Sequence, residues 1–138
     1  MPSADVNYLA VLVAAAATFA LGALWYSPAV LGKQWMHAHG YTLEKVKEMQ
    51  KTAGRAYVVS FACYIVLASV LSLLAGYTGA TTMVQGLWLG FLVWIGFAAT
   101  LGLTAHMFSD KRLATYLIDA GYQLAFLLLM GVILAVWR

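Results

Sequence analysis

The residue with the most chemistry to explain is Asp119. It lies in an apolar stretch, residues 113–137, that is long enough to cross a bilayer. At 1.5 Å rise per residue it would sit about 9 Å along the helix from Leu113. A carboxylate there is costly, and such residues mark either function or a paired packing device. Tyr122 and Gln123 follow at i+3 and i+4, so on a helix the three share one face. In a functional reading, Asp119 exchanges a proton or holds a cationic ligand group, and Tyr122 and Gln123 orient the ligand. In a structural reading, His106, Tyr122 or Arg112 pairs with the carboxylate and fixes the helix packing. Both readings stand on sequence grounds.

His106, one turn before Asp110, is the expected partner that tunes Asp119, and Trp25 and Tyr64 are expected to wall the same site. His37-x-His39 has the look of a chelate, but no third ligand follows at an evident spacing, so no metal is expected. Cys63 is the one cysteine, which excludes an intrachain disulfide, and its apolar neighbours predict a packed thiol. The chain has no Ser-His-Asp order, no phosphate-cradling glycine loop and no dinucleotide fingerprint. No cofactor is implied, and the balance leans away from an enzyme.

The elements that must position these residues follow from composition. Of 138 residues, 64% are hydrophobic and 9% charged, which is a membrane composition. The net charge of +3 does not point to nucleic acid, because the few basic residues flank apolar runs, where they serve topology. Four runs reach spanning length, at about 6–26, 56–75, 83–108 and 113–137. In hydrocarbon each must satisfy its own backbone, so each is predicted to be a helix. The expectation is an all-α, integral-membrane four-helix bundle forming one domain over residues 1–138. The first run resembles a secretory signal only loosely. Its leader carries no lysine or arginine, its apolar core is too long and no cleavage site follows, so a retained helix is expected.

Seven of the eight basic residues fall on one side: Lys33, Lys45, Lys47, Lys51, Arg55, Lys111 and Arg112, against Arg138 alone. By the positive-inside rule both termini lie outside and both basic loops in the cytoplasm of an inner-membrane protein. Trp25, Tyr26, Tyr57 and Tyr116 then fall near the inner interface as belt aromatics, and Tyr8, Tyr77 and Trp137 near the outer one. Trp94 falls mid-helix, where it is expected to pack against a neighbour or line a cavity. Ser27, Ser60, Tyr64, Thr104, His106, Asp119, Tyr122 and Gln123 all lie in the inner half, which predicts a polar pocket opening to the cytoplasm. Gly86-x-x-x-Gly90, Gly96 and Gly102 on the third helix, with Ala16, Ala20 and Ala23 on the first, are expected to permit close packing within or between subunits. Pro28 stops the first helix and Gly32 gives a second break. Thr42 can cap a short amphipathic helix carrying Leu43, Val46, Met49 and Ala53, its lysines near anionic headgroups of the inner leaflet.

One segment carries a likeness. Trp25-Tyr26-Ser27-Pro28, then Gly32-Lys33-x-Trp35-Met36 and Gly40, with Gly121-Tyr122 in the last helix, resembles a bacterial membrane family of unknown function, DUF1761. The resemblance implies a four-helix membrane protein and carries no activity or catalytic residue with it. The leading expectation is therefore a small membrane protein that binds or moves a small molecule, lipid or proton through the inner-half pocket. A dimer or trimer is expected, since one bundle encloses little volume. The alternatives are a non-catalytic accessory subunit docked on a membrane-protein partner, and, more weakly, an enzyme on a lipid-like substrate with His106 and Asp119 as its acid–base pair.

Overall fold

A computed structural model describes residues 5–109 and 112–138; the leader's first four residues and Asp110 and Lys111, to which some expectations above attach, lie outside them. The described chain is helical without strands, and four of its helices are long and apolar enough to cross a membrane. The first is α1 (Tyr8–Trp25), the second α4 (Ala53–Thr78), the third the continuous helix Met83–Phe108 and the fourth α7 (Leu113–Val136). This is the expected four-helix architecture. α7 is the most buried of the four and touches each of the others, so it forms the central post.

Local chemistry sets the ends of these helices. Asn7 caps α1 by accepting from the Leu9 and Ala10 amides at 3.1 and 3.2 Å. Thr82 and Gln85 form a reciprocal capping box at the start of the third span. Gly79, at φ 72°, closes α4 in a left-handed turn in which the Ala80 amide donates to the Ala75 carbonyl.

The connection 27–54 differs from expectation. It holds two short helices, α2 (Gly32–His39) and α3 (Leu43–Gln50), where one was predicted. Gly32 starts a helix instead of breaking the chain. A Cβ there would lie 2.8 Å from the Ser27 carbonyl, so glycine is needed for close approach, and α2 can fold tightly against the end of α1. Thr42 does cap α3, accepting from the Lys45 amide at 3.2 Å. α4 begins at Ala53, three residues earlier than its apolar run suggested.

The third span also departs from a plain helix. Between α5 (Met83–Val93) and α6 (Ala99–Phe108) lies a π-turn, Trp94–Ala98, in which the Ala99 amide reaches back five residues to the Trp94 carbonyl. The Thr100 hydroxyl donates to the Gly96 and Phe97 carbonyls at 3.0 and 3.1 Å, satisfying acceptors the turn exposes.

The core lies almost wholly at one end. Ala10, Val11 and Ala14 of α1, Ala68, Leu71 and Ala75 of α4, Leu89 of α5, and Leu127, Met130 and Leu134 of α7 are all buried there. The tightest contact joins α5 and α7 within the chain. A Cβ on Gly86 would fall on the Gly131 carbonyl, one on Gly90 on the Leu127 carbonyl, and one on Gly131 on the Gly86 carbonyl. Four of the other expected packing positions are different. Gly96 faces open space, and Ala16, Ala20 and Ala23 are exposed while Ala10, Ala14, Ala15 and Thr18 form the buried stripe of α1. Only Gly102 packs as foreseen, against the Tyr116 ring. Cys63 is likewise exposed on the outer face of α4 and does not pack.

Gly131→Ala is expected to lower stability by more than about 3 kcal/mol, because backbone must move to make room and overpacking alone typically costs 1–3. Gly96→Ala, whose new methyl meets open space, should leave the melting temperature unchanged or raise it. Thermal melts of the two variants in one detergent compare these outcomes directly.

Candidate functional site

At the other end, beside both basic loops, the helices part and aromatic rings replace small residues between them. Two half-open cavities meet there, of about 700 and 680 Å³, with Tyr26, Pro28, Gln50 and Tyr57 in the walls of both. They form one cleft bounded by the end of α1, the start of α4, and the short helices α2 and α3. One lobe runs toward Ser60, Tyr64 and Tyr122, and the other passes Trp35, Met36, Val46 and Met49 to Asp119. The apolar face of α3 therefore roofs the cleft.

Asp119 has a partner that sequence reasoning did not name. The Tyr26 hydroxyl donates to its Oδ1 at 2.6 Å, and among the described residues no other group hydrogen-bonds the carboxylate. His106, Tyr122 and Arg112, the expected partners, do not. Tyr26 looked like an interfacial belt residue because it directly follows an apolar helix; only the fold reveals that its ring turns inward, edge-on to Tyr122 and Trp35.

Two indoles fix the backbone on either side of Asp119. Trp25 Nε1 donates to the Ile118 carbonyl at 3.1 Å and Trp94 Nε1 to the Ala120 carbonyl at 2.9 Å. Trp25 approaches across Gly121, where a Cβ would come within 3.2 Å of the ring, which gives the Gly121-Tyr122 pair a physical reason. Trp94 packs against its neighbour as expected. Tyr116 is a further correction to the belt reading, since its hydroxyl donates to the Ala99 carbonyl at 2.7 Å.

Tyr122 is buried and its hydroxyl donates to the Thr18 carbonyl at 2.8 Å, with the Tyr64 hydroxyl 3.2 Å away. Phe126 packs against both rings. Tyr64 and Tyr122 thus line one lobe of the cleft, though Tyr122 is as much a strut as a ligand-facing group; Trp25, expected as a wall, packs against the Tyr122 ring and lines neither lobe. Gly22 makes room for it, because a Cβ there would sit 2.7 Å from the phenol oxygen.

His106 and Gln123 lie on the other side of α7. With Asp119, Gly102, Ser109 and Tyr116 they line a third cavity of about 320 Å³, in which the His106 ring leans on Tyr116. Asp119 borders this cavity as well as the main cleft, so the six expected residues fall on two sides of one helix with the carboxylate between. Thr104 faces outward and bonds back to the Thr100 carbonyl, outside the polar layer. His37 and His39 sit two residues apart on α2, about 200° around its axis, and so cannot chelate together. His39 instead stacks on Tyr41 and Trp35. Among the described residues, no three His, Cys, Asp or Glu side chains gather as a metal site.

Gly22→Ala is expected to push the Tyr122 phenol off the Thr18 carbonyl, costing about 1–3 kcal/mol. Tyr122→Phe alone, which removes only the hydroxyl, should cost about 0.5–1.5 kcal/mol. Chemical denaturation of each variant in a common micelle checks the order.

No curated protein and no solved structure matches the chain. A family model does, over residues 9–135, which takes in all four spans, the Trp25–Pro28 segment and the residues around Asp119. The chain belongs to DUF1761, a family of proteins of unknown function.

Proposed function

We propose that this protein binds a small amphiphilic molecule in the cleft between α1, α3, α4 and α7. The observation that carries this reading is the shape and lining of the cleft. It is an apolar, half-open space of ligand size, and it ends at one hydrogen-bonded carboxylate. Trp35, Met36, Val46 and Met49 supply apolar surface, and Asp119 with Tyr26 supplies a polar anchor. The packed core at the opposite end speaks for binding over passage through a single bundle. Movement of a ligand or proton across the membrane would accordingly use a dimer or trimer, with the path between subunits.

A second reading rests on the third cavity. His106 and Asp119 border the same space, which suits acid–base chemistry on a lipid-like substrate better than a role as an accessory subunit docked on another membrane protein. Loss of turnover on replacing either residue is the signature of that reading.

The setting we propose is an inner membrane, with both termini outside and the loops 27–54 and 109–112 in the cytoplasm. Lys45, Lys47 and Lys51 are exposed on and just beyond α3, in place to meet anionic headgroups. Single cysteines introduced at Lys47 and Thr81 of a Cys63→Ser chain test the orientation. A membrane-impermeant maleimide should label the Thr81 site on intact cells and the Lys47 site only after permeabilisation.

Native mass spectrometry of gently extracted protein tests the binding itself. Wild type should carry a bound small mass, and Ala56→Trp, which fills the cleft wall, should lose it while remaining folded on size exclusion. Equal occupancy in both proteins removes the cleft as the binding site.

A further inference from the structure

The charge of the cleft narrows the class of ligand, an inference that rests on the binding reading above. Among the described residues that line its two lobes, Asp119 is the only one with a formally charged side chain. No described lysine or arginine appears in either lining, although five of the chain's eight basic residues belong to the adjoining segment 33–55. Lys33, Lys45, Lys47, Lys51 and Arg55 are all exposed, and none of them lines either lobe. An anionic head, whether carboxylate or phosphate, would meet a carboxylate in the cleft and, among the described residues, no compensating cation.

The carboxylate is also only partly satisfied. Tyr26 donates to Oδ1, and no described residue donates to Oδ2, while Asp119 itself is only partly buried. One oxygen therefore remains available to a donor entering from the lobe. The rings of Tyr26, Trp35 and Tyr57 line the approach, and their faces favour a cation as well as apolar surface. Val46 and Met49 of α3 and Met36 of α2 extend this wall with groups that suit a hydrocarbon body.

We propose that the cleft is selective for a lipophilic organic cation: an apolar molecule carrying a protonated amine, whose ammonium donates to Asp119 and whose body lies under α3 among Trp35, Met36, Val46 and Met49. The selectivity comes from the single negative charge, and the affinity from the aromatic and thioether walls. α2 and α3 contribute Trp35, Met36, Val46 and Met49 to the apolar lining, which gives this otherwise short connection a defined part in recognition.

Three probes with one tail and different heads test this: phenylhexylamine, phenylhexanol and phenylhexanoate. Each is measured by equilibrium dialysis against the protein in phosphatidylcholine nanodiscs, with empty nanodiscs as the baseline. The ammonium form is expected to be retained at one per chain above baseline, and Asp119→Asn, which keeps an acceptor for Tyr26, to weaken it by about tenfold or more. Gln50→Lys, at an exposed position on the rim of both lobes, should reverse the order in favour of the carboxylate even if the Asp119 variant folds poorly. The proposal is overturned if phenylhexanoate or phenylhexanol is retained as strongly as the amine, or if both substitutions leave amine retention unchanged. Retention of phenylhexanol alone, lost in Ala56→Trp, would overturn the cation selectivity and leave the binding reading standing. Retention of none of the three above empty nanodiscs would overturn both.

Discussion

The contact that the rest of the bundle depends on is backbone against backbone, where Gly86 and Gly90 of α5 meet Leu127 and Gly131 of α7. Hydrocarbon offers no hydrophobic drive to bring helices together, so association has to come from dispersion and polar contacts at short range. Glycine at these positions lets the two axes close until a methyl group would no longer fit between them. Alanines of α1 and α4 then bring the remaining helices onto α7 at the same end. At the opposite end the side chains between the helices are Trp25, Trp94, Tyr116 and Tyr122. A bundle fastened by glycine at one end and spaced by indole and phenol rings at the other is closed on one side and open on the other. The cleft is thus a result of how side-chain size is distributed along four helices, and needs no loop to create it.

The rings that hold the bundle open also stiffen it. Each carries one polar hydrogen into an apolar interior, and each finds a main-chain carbonyl: Ile118, Ala120, Ala99 and Thr18. In a helix those carbonyls already serve the ladder, and their second lone pair is free to accept again. The aromatic residues therefore join the helices by polar contacts without bringing any further formally charged side chain into the span. Asp119 stands between two of these fixed points, which holds its backbone while its carboxylate reaches Tyr26.

Much of this architecture could be read from the residues. Four apolar runs of spanning length rest on local composition and a count, and local signals of that kind survive without tertiary knowledge; Asp119, Tyr122 and Gln123 follow a helical spacing as well, yet the fold turns Tyr122 and Gln123 to different sides of α7. What escaped the reading depends on neighbours distant in sequence. Tyr26 and Asp119 are 93 residues apart, and nothing near either one announces the other. Gly32 reads as a break because glycine breaks helices more often than it opens them; its reason is the carbonyl of Ser27, which leaves no room for a Cβ. Ala16, Ala20 and Ala23 repeat as regularly as the alanines that do pack, since in an apolar span composition alone does not tell a protein-facing side from a lipid-facing one. The π-turn left no mark in the hydropathy, as an added residue in an apolar run is still apolar.

That turn has a consequence for register. In an uninterrupted α-helix, positions four apart drift steadily around the axis, and a stripe that begins at Gly86 and Gly90 would continue through Trp94 to Ala98. The five-residue step from Trp94 to Ala99 adds one residue, and so turns everything beyond it by about 100°. Ala99, Gly102 and His106 thereby come round to face α7, while Phe97 and Leu101 are turned outward. One helix can in this way present two differently phased faces to the same partner: a smooth one for the fastened half and a polar one for the open half. The single extra residue works as a phase shifter. Its removal would preserve the hydrophobicity of the span and its first contacts, yet aim the wrong side of α6 at Asp119.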